Sequence, residues 1–390
     1  MWRPTFTILR KVIFPSLKEN ANLSRILYST KSRLPRSTAK LTLVSASVGL
    51  LIGAGYGGYT HYKINTKKNT ASVEDLAYPF LEQLPEYTPH SRIVNDGDTS
   101  NLQLVLFQYR TCPFCCKVRA YLDSRGISYD IVEVDAVLRQ GIKWSSYKKV
   151  PIVLVKVDEG YQQLMESTAI MSILETYMRD KSQAVQDVIK FYPNTRFVSD
   201  DGKETTDIAN KYFIMHNAAV PDGRERGEEA EERKWRQWAD RVLVHTLSPN
   251  VYRTFGESLE TFKWFEEVGG WKQSFPNWEC ALMVYVGSVA MWIISKRLKA
   301  RHNIKDDVRQ SLYDAANQWT SAIKKKGTRF LGGDEPNLAD VSVYGVLSSI
   351  EGCEAFQDLR SHTNIGVWYD DIKNTISDKM GKVIAAHALA

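Results

Sequence analysis

At 390 residues, 43% hydrophobic and 25% charged, the chain has the make-up of a globular protein with room for two ordinary domains plus extensions. Five cysteines are too few for a disulfide framework. The net charge of +6 misrepresents the body: residues 1–40 hold nine Lys/Arg against the single acid Glu19, a net +8, which leaves residues 41–390 at −2 and no overall electrostatic case for nucleic acid.

Residues 1–40 form a basic leader, rich in Ser/Thr, in which FTILRKVIF (6–14) can make a basic amphipathic helix. That is the composition of a mitochondrial presequence; the plainer reading is a disordered basic arm. LTLVSASVGLLIGAGYGGY (41–59) is uncharged and long enough for one membrane crossing. Its Gly49, Gly53 and Gly57 would let two such helices approach closely. The excess of basic residues before the segment predicts a cytosolic or matrix N-terminus. The same stretch also suits the apolar tail of a presequence, whose removal would release a soluble form. Residues 60–100 read as a tether, with Pro85, Pro89 and NDGD.

Residues 101–180 carry the order β-α-β-α-β-β-α, a thioredoxin/glutaredoxin-like α/β domain. LQLVLFQY (102–109) is a β-rich run that ends at a cysteine turn. CKVRAYLDSRG (116–126) has helical spacing and stops at Gly126. SYDIVEVD (128–135) alternates as a strand, a short helix is expected around 138–146, and VPIVLVKV (150–157) pairs with YQQLM (161–165) around DEG. A last helix starts at EST (166–168), with Ser167 as its cap. Residues 181–230 form a connecting segment that includes a solvated charged run at 223–234. Residues 231–385 read as an all-α domain. Within it, Leu282 to Leu298 is a buried core helix rather than a second span, and NLADVSVYGVL (337–347) opens on a capping signature that makes Asp340 structural. Lys296, Arg297, Lys299 and Arg301 read as a solvated face, and Trp235, Trp238 and Tyr252 as core packing.

The chemistry concentrates in TCPFCCKV (111–118). A thiol where a strand turns into a helix meets unsatisfied backbone N–H groups and the positive end of the helix dipole, and both favour the thiolate. Cys112, at the turn, is the expected nucleophile; Cys115, one turn in, could resolve a mixed disulfide. Zinc would need a second ligand pair, which the sequence lacks, so no metal is expected. Covalent haem would need His at 116, where Cys stands. Cys280 and Cys353 stand alone in apolar sequence, as buried hydrophobes do. Val150-Pro151 opens a strand, where proline is awkward, and is a candidate cis bond whose exposed backbone could pair with an extended peptide such as glutathione. At Glu166-Ser167, spare helix N–H groups suit a carboxylate and Glu166 an amino group.

These three features together match the first half of glutathione transferases and glutaredoxins, and the helical region matches the transferase second half. YRTCPFCCKVRAYLD, WSSYKKVPIV, EERKWRQWADRVLVHTLSPNVYRT, ISKRLKARHNI and GGDEPNLADVSVYGVL then resemble the membrane-associated prostaglandin E synthase 2 family, over residues 100–380. The resemblance implies an isomerase that turns prostaglandin H2 into prostaglandin E2 with glutathione or another thiol. It implies Cys112 as catalytic thiol, Tyr109 and Phe114 flanking it in the substrate pocket, and Val150, Pro151, Glu166 and Ser167 at a glutathione site. It also implies non-covalent haem, a homodimer, and a Golgi or perinuclear membrane where the leader suggests mitochondria. Cys116 departs from the family pattern and is expected to be a buried helix residue. Two other functions share the pocket: a glutathione-dependent thiol oxidoreductase or transferase, and a non-enzymatic membrane protein binding glutathione or haem.

Overall fold

The computed structural model describes residues 78–198, 204–215, 223–302 and 304–385, all within one compact unit, Val73–Ala390. The basic leader and the apolar segment 41–59 lie outside the described residues.

A seven-stranded sheet runs in the order β1-β6-β5-β3-β4-β2-β9. Its centre is β3 (Leu104–Gln108), buried at every position, parallel to β4 (Tyr129–Glu133) and antiparallel to β5 (Ile152–Val157), which makes a hairpin with β6 (Gly160–Met165). α1 (Pro113–Ser124) connects β3 to β4, and α2 (Ser167–Arg179) follows β6. This is the expected thioredoxin-like arrangement with one difference. The short helix foreseen around 138–146 is a single 3-10 turn, Gln140–Ile142. Arg139 sits at φ 52°, left-handed backbone that an α-helix cannot continue through. The Asp135 carboxylate also takes the amides of Leu138, Arg139 and Gln140, which a helix would have used otherwise.

The sheet reaches beyond the expected domain. β1 (Phe80–Leu81) pairs with β6, and β2 (Ser91–Val94) pairs with β4, so part of the foreseen tether belongs to the sheet. Ile93 inserts into the main core. β9 (Lys382–Ala385) returns from the far end of the chain to pair with β2. In the connecting segment, β7 (Asn194–Val198) and β8 (Glu204–Ile208) form a separate hairpin.

The second half is helical, as expected. α3 (Gly223–Trp238) takes in the charged run that reads as solvated sequence; Glu229 and Arg233 pair across one turn, and Glu231 pairs with Lys326. A π-helical turn, Ala239–Leu243, leads into α4 (Val244–Val251). Pro249 falls in the last turn of α4, which ends two residues later at Val251. Beyond it come α5 (Phe255–Val268), α6 (Asn277–Arg301), α7 (Val308–Lys326), α8 (Leu338–Ser348), α9 (Glu354–His362) and α10 (Ile365–Ser377). The capping box at α8 is present: Asn337 Oδ1 accepts from Asp340 N, and Asp340 accepts from Asn337 N, Leu331 N, Gly332 N and Trp368 Nε1. Asp340 is therefore structural.

One correction concerns α6. It is not a buried core helix. Met283, Val284, Ser288 and Ser295 face inward, whereas Trp278, Tyr285 and Val286 are each more than half exposed. The reason is geometric: α6 lies at the outside of a helical hairpin with α5, so only one of its faces meets protein.

The main core is continuous across both halves. Leu106, Tyr121 and Leu164 of the sheet domain share a cluster with Trp235, Leu312, Trp319 and Tyr369 of the helical domain. Trp235 is edge-on to both Trp238 and Trp319, which makes these aromatics packing residues as expected.

Candidate active site

The first turn of α1 carries the reactive group. Cys112 is its N-cap, extended at φ −74° and ψ 125°, with Pro113 in the first helical turn, where the missing N–H has no cost. Cys112 N–H donates to the Tyr109 carbonyl at 3.0 Å, which closes the turn out of β3. Among the five free cysteines it is half-buried and the other four are buried. The Cys115 thiol donating to Cys112 holds Cys112 below the ordinary thiol range; burial opposes this, and the Cys115 and Phe114 backbone N–H groups and Arg119 reinforce it. Burial pushes Cys115 well up, and so does its donation to Cys112. Of the two thiols, Cys112 is therefore the one whose thiolate is favoured.

Cys116 is buried, as expected, but it is not inert packing. Its S–H donates to the Arg110 carbonyl at 3.3 Å, and Arg119 Nη2 donates to its sulfur at 3.2 Å. Arg119 also bonds Gln108 Oε1 (2.8 Å) and Arg110 O (2.9 Å), while Glu133 accepts from Gln108 Nε2 (2.6 Å) and from Arg110 N (2.9 Å). This network fixes the end of β3 just before the thiol. Nothing in the sequence spacing points to it, because it joins residues from β3, α1 and β4.

Tyr109 and Phe114 pack against different clusters: Tyr109 against the smaller cluster of Val105, Phe107 and Ile152, and Phe114 against the main core. The Val150-Pro151 peptide bond is cis, as the sequence suggests. Tyr147, three residues earlier and half-buried, is pushed up first by burial and then by Glu166, Cys115 and Cys112. Burial pushes the phenol of Tyr252 up, with smaller contributions from Cys353 and Cys112, besides its packing role.

At α2 the cap is Glu166 instead of Ser167. Glu166 Oε2 accepts from Ala169 N at 3.0 Å. Its backbone is held at φ 67°, a conformation that costs a non-glycine residue on the order of 1–3 kcal/mol and that tends to mark functional positions. Burial pushes its carboxyl up, against the pull of Lys211 and Lys117. Because Glu166 does the capping, the Ser167 hydroxyl is left buried without a partner among the described residues. A buried hydroxyl left over at a helix N-terminus suits an anionic ligand group.

Behind the thiol, Lys117 of α1 is fully buried and donates to Thr168 Oγ1 of α2 (2.8 Å) and to Asp240 of the π-turn. Asp240 also accepts from Thr168 Oγ1 (2.6 Å) and Tyr212 OH (3.1 Å). Burial alone would push Asp240 up, but the Lys117 charge and these donors hold it below the ordinary carboxylate range. α8 presses on the other side of α1. A Cβ on Gly345 would lie 2.5 Å from the Lys117 Cα, so only glycine permits that approach.

The glutaredoxin family matches residues 104–158, which span β3 to the β5–β6 turn. Prostaglandin E synthase 2 of Danio rerio is 44% identical over 321 residues, 82% of this chain and 78% of the relative. Its counterpart in Mus musculus is 48% identical over 282 residues, 72% of each chain. A delta-class glutathione transferase of Nilaparvata lugens overlays with a TM-score of 0.38 at 17% identity, over 70% of this chain and 88% of the other, an overlay that speaks to neither substrate nor site. On the identity and coverage of its two curated relatives, the chain belongs to the prostaglandin E synthase 2 family.

Proposed function

We propose that this chain is a thiol-dependent isomerase that converts prostaglandin H2, a 9,11-endoperoxide, into the hydroxyketone prostaglandin E2. Family membership supplies the substrate, and the observation in the site that supports the reading is the half-buried, thiolate-favouring Cys112 with a buried donor, Cys115, against it. In the proposed reaction the Cys112 thiolate bonds the oxygen on C9, the O–O bond breaks, and the oxygen on C11 takes a proton to become the hydroxyl. Loss of the C9 proton then forms the ketone, breaks the S–O bond and regenerates the thiolate. No net oxidation occurs, so one thiolate is enough. Tyr109 and Phe114, which pack against different clusters, are proposed to hold the substrate chain.

The residues around the thiol fit glutathione. Ser167, with its unpartnered hydroxyl, would meet a carboxylate, Glu166 an amino group, and the Val150 backbone beside Pro151 the peptide. When bound, glutathione supplies a second thiol. Non-covalent haem is proposed on the family resemblance, with Cys112 as the thiolate the described residues would offer it. We likewise propose membrane attachment, a homodimer, and a Golgi, perinuclear or mitochondrial location on the family resemblance.

The oxidoreductase reading requires Cys115 to attack a mixed disulfide. Cys115 is fully buried and its thiol is pushed up, which favours isomerisation. Product analysis on prostaglandin H2 separates the readings. Cys112→Ser is expected to lose prostaglandin E2 formation by about a hundredfold or more, and Cys115→Ser to keep most of it. Wild-type activity in Cys112→Ser sinks the assignment; reduction of a glutathione mixed disulfide that requires Cys115 favours the oxidoreductase.

A further inference from the structure

Polar side chains fasten α1, which carries the thiol, to α2, whose start carries Glu166 and Ser167, at both ends of the pair. At the far end Glu175 of α2 accepts from Arg125 Nε (2.8 Å), Arg125 Nη2 (3.1 Å) and Tyr121 OH (3.2 Å). At the near end the link is Thr168. Its hydroxyl accepts from Lys117 Nζ (2.8 Å) and donates to Asp240 (2.6 Å), and Lys117 also donates to Asp240 directly. Lys117 and Thr168 are at most 1% exposed, so water does not compete for these bonds. The Thr168 carbonyl is held as well, by Arg236 Nη2 of α3 at 3.3 Å. In sequence Lys117 follows Cys115 by two residues, and Thr168 follows Ser167 directly.

The near link therefore joins the two ends of the proposed glutathione site. Glutathione has a fixed reach: its γ-glutamyl carboxylate would meet the Ser167 hydroxyl while its own sulfur lies beside Cys112. Both ends are met only when the first turn of α2 stands at the right distance from α1. We propose that Thr168 is a positioning residue that holds this separation, and that it thereby makes the site select glutathione over thiols that lack a γ-glutamyl group. The inference rests on the glutathione reading given above. The salt bridge alone would not do this. Lys117 and Asp240 join α1 to the π-turn, and the Thr168 hydroxyl is what brings α2 into that pair. The neighbouring side chains give no such anchor: the Ser167 hydroxyl bonds nothing among the described residues, and Glu166 caps its own helix through Ala169 N. A ligand-binding side chain is only as well placed as the groups that fix its backbone.

The test uses reduced full-length protein and titration calorimetry with two probes, glutathione and cysteinylglycine, which carries the same thiol without the γ-glutamyl group. The quantity read is the ratio of their affinities. Thr168→Val removes the hydroxyl at nearly constant volume. Asp240 keeps Lys117 and Tyr212 as donors, so no buried charge is left unpaired, and the Glu175 end still holds the two helices together. The variant is expected to lower the ratio roughly tenfold. Thr168→Ser keeps the hydroxyl and should stay within about twofold of wild type. Equal losses for both probes, with the ratio at its wild-type value, mark a structural role and overturn the proposal. Ser167→Ala separates this inference from the reading of the site. A ratio that falls in Ser167→Ala but holds in Thr168→Val overturns the positioning role and leaves the glutathione site standing. A ratio unmoved by Ser167→Ala removes the site reading and the proposal with it.

Discussion

At the scale of single residues, the sulfur pair decides what the site can do. Cys112 and Cys115 sit one helical turn apart and differ in ionisation because Cys115 donates its S–H to Cys112, while burial and that donation hold the proton on Cys115. The thiolate is the reactive form, so a thiol whose value is lowered reacts at a lower pH than a free one. Cys115→Ala removes the first cause of that lowering. The midpoint of Cys112 alkylation should then rise toward that of a free thiol, about 8.5. Cys115→Ser keeps a donor and should shift it less. Iodoacetamide labelling across pH, with the site identified by mass spectrometry, measures both; an unchanged midpoint in Cys115→Ala would leave the helix terminus as the tuning agent.

At the scale of elements, α1 is held from two directions. α8 approaches through Gly345, and the Lys117–Thr168–Asp240 cluster ties α1 to α2 and to the π-turn after α3. Asp240→Asn leaves the Lys117 ammonium buried without its counter-charge and should cost about 3–5 kcal/mol at neutral pH. The pH sign follows from the direction of the shift. Asp240 is lower in the fold than in the unfolded chain, so its contribution is present above the unfolded value of about 3.9 and is lost as pH falls through the folded one. Urea unfolding of wild type and variant should therefore differ most near neutrality and converge in strong acid. A gap that stays constant would show that the pair does not supply it.

At the scale of the molecule, one core serves both halves, since α1 and α2 are covered on their outer side by the helical domain. The sheet also joins segments far apart in sequence at one edge: β2 from before the thiol and β9 from residues 382–385 lie side by side. Unfolding followed by tryptophan emission reports mainly on the helical half, through Trp235, Trp238, Trp319 and Trp368. Unfolding followed by thiol access at Cys115 and Cys116 reports on the sheet half. The two transitions should coincide. A thiol transition at lower denaturant would mean that the sheet half opens independently.

The sequence alone determined the features that depend on neighbours along the chain. The strand-turn-helix at 104–124, the β5–β6 hairpin, the Val150-Pro151 bond and the capping box at Asn337 are set by local spacing, turn chemistry and proline, and each stands where it was read. Only the tertiary structure decided what depends on residues far apart. The Asp135 carboxylate and left-handed Arg139 cancelled a helix; Glu166 displaced Ser167 as cap and left its hydroxyl free; Lys117 found Asp240 across 123 positions; and the ends of the chain entered the sheet. The misreading of α6 has the same origin. Hydropathy measures how apolar a helix is, whereas the packing of its neighbours fixes which of its faces is covered.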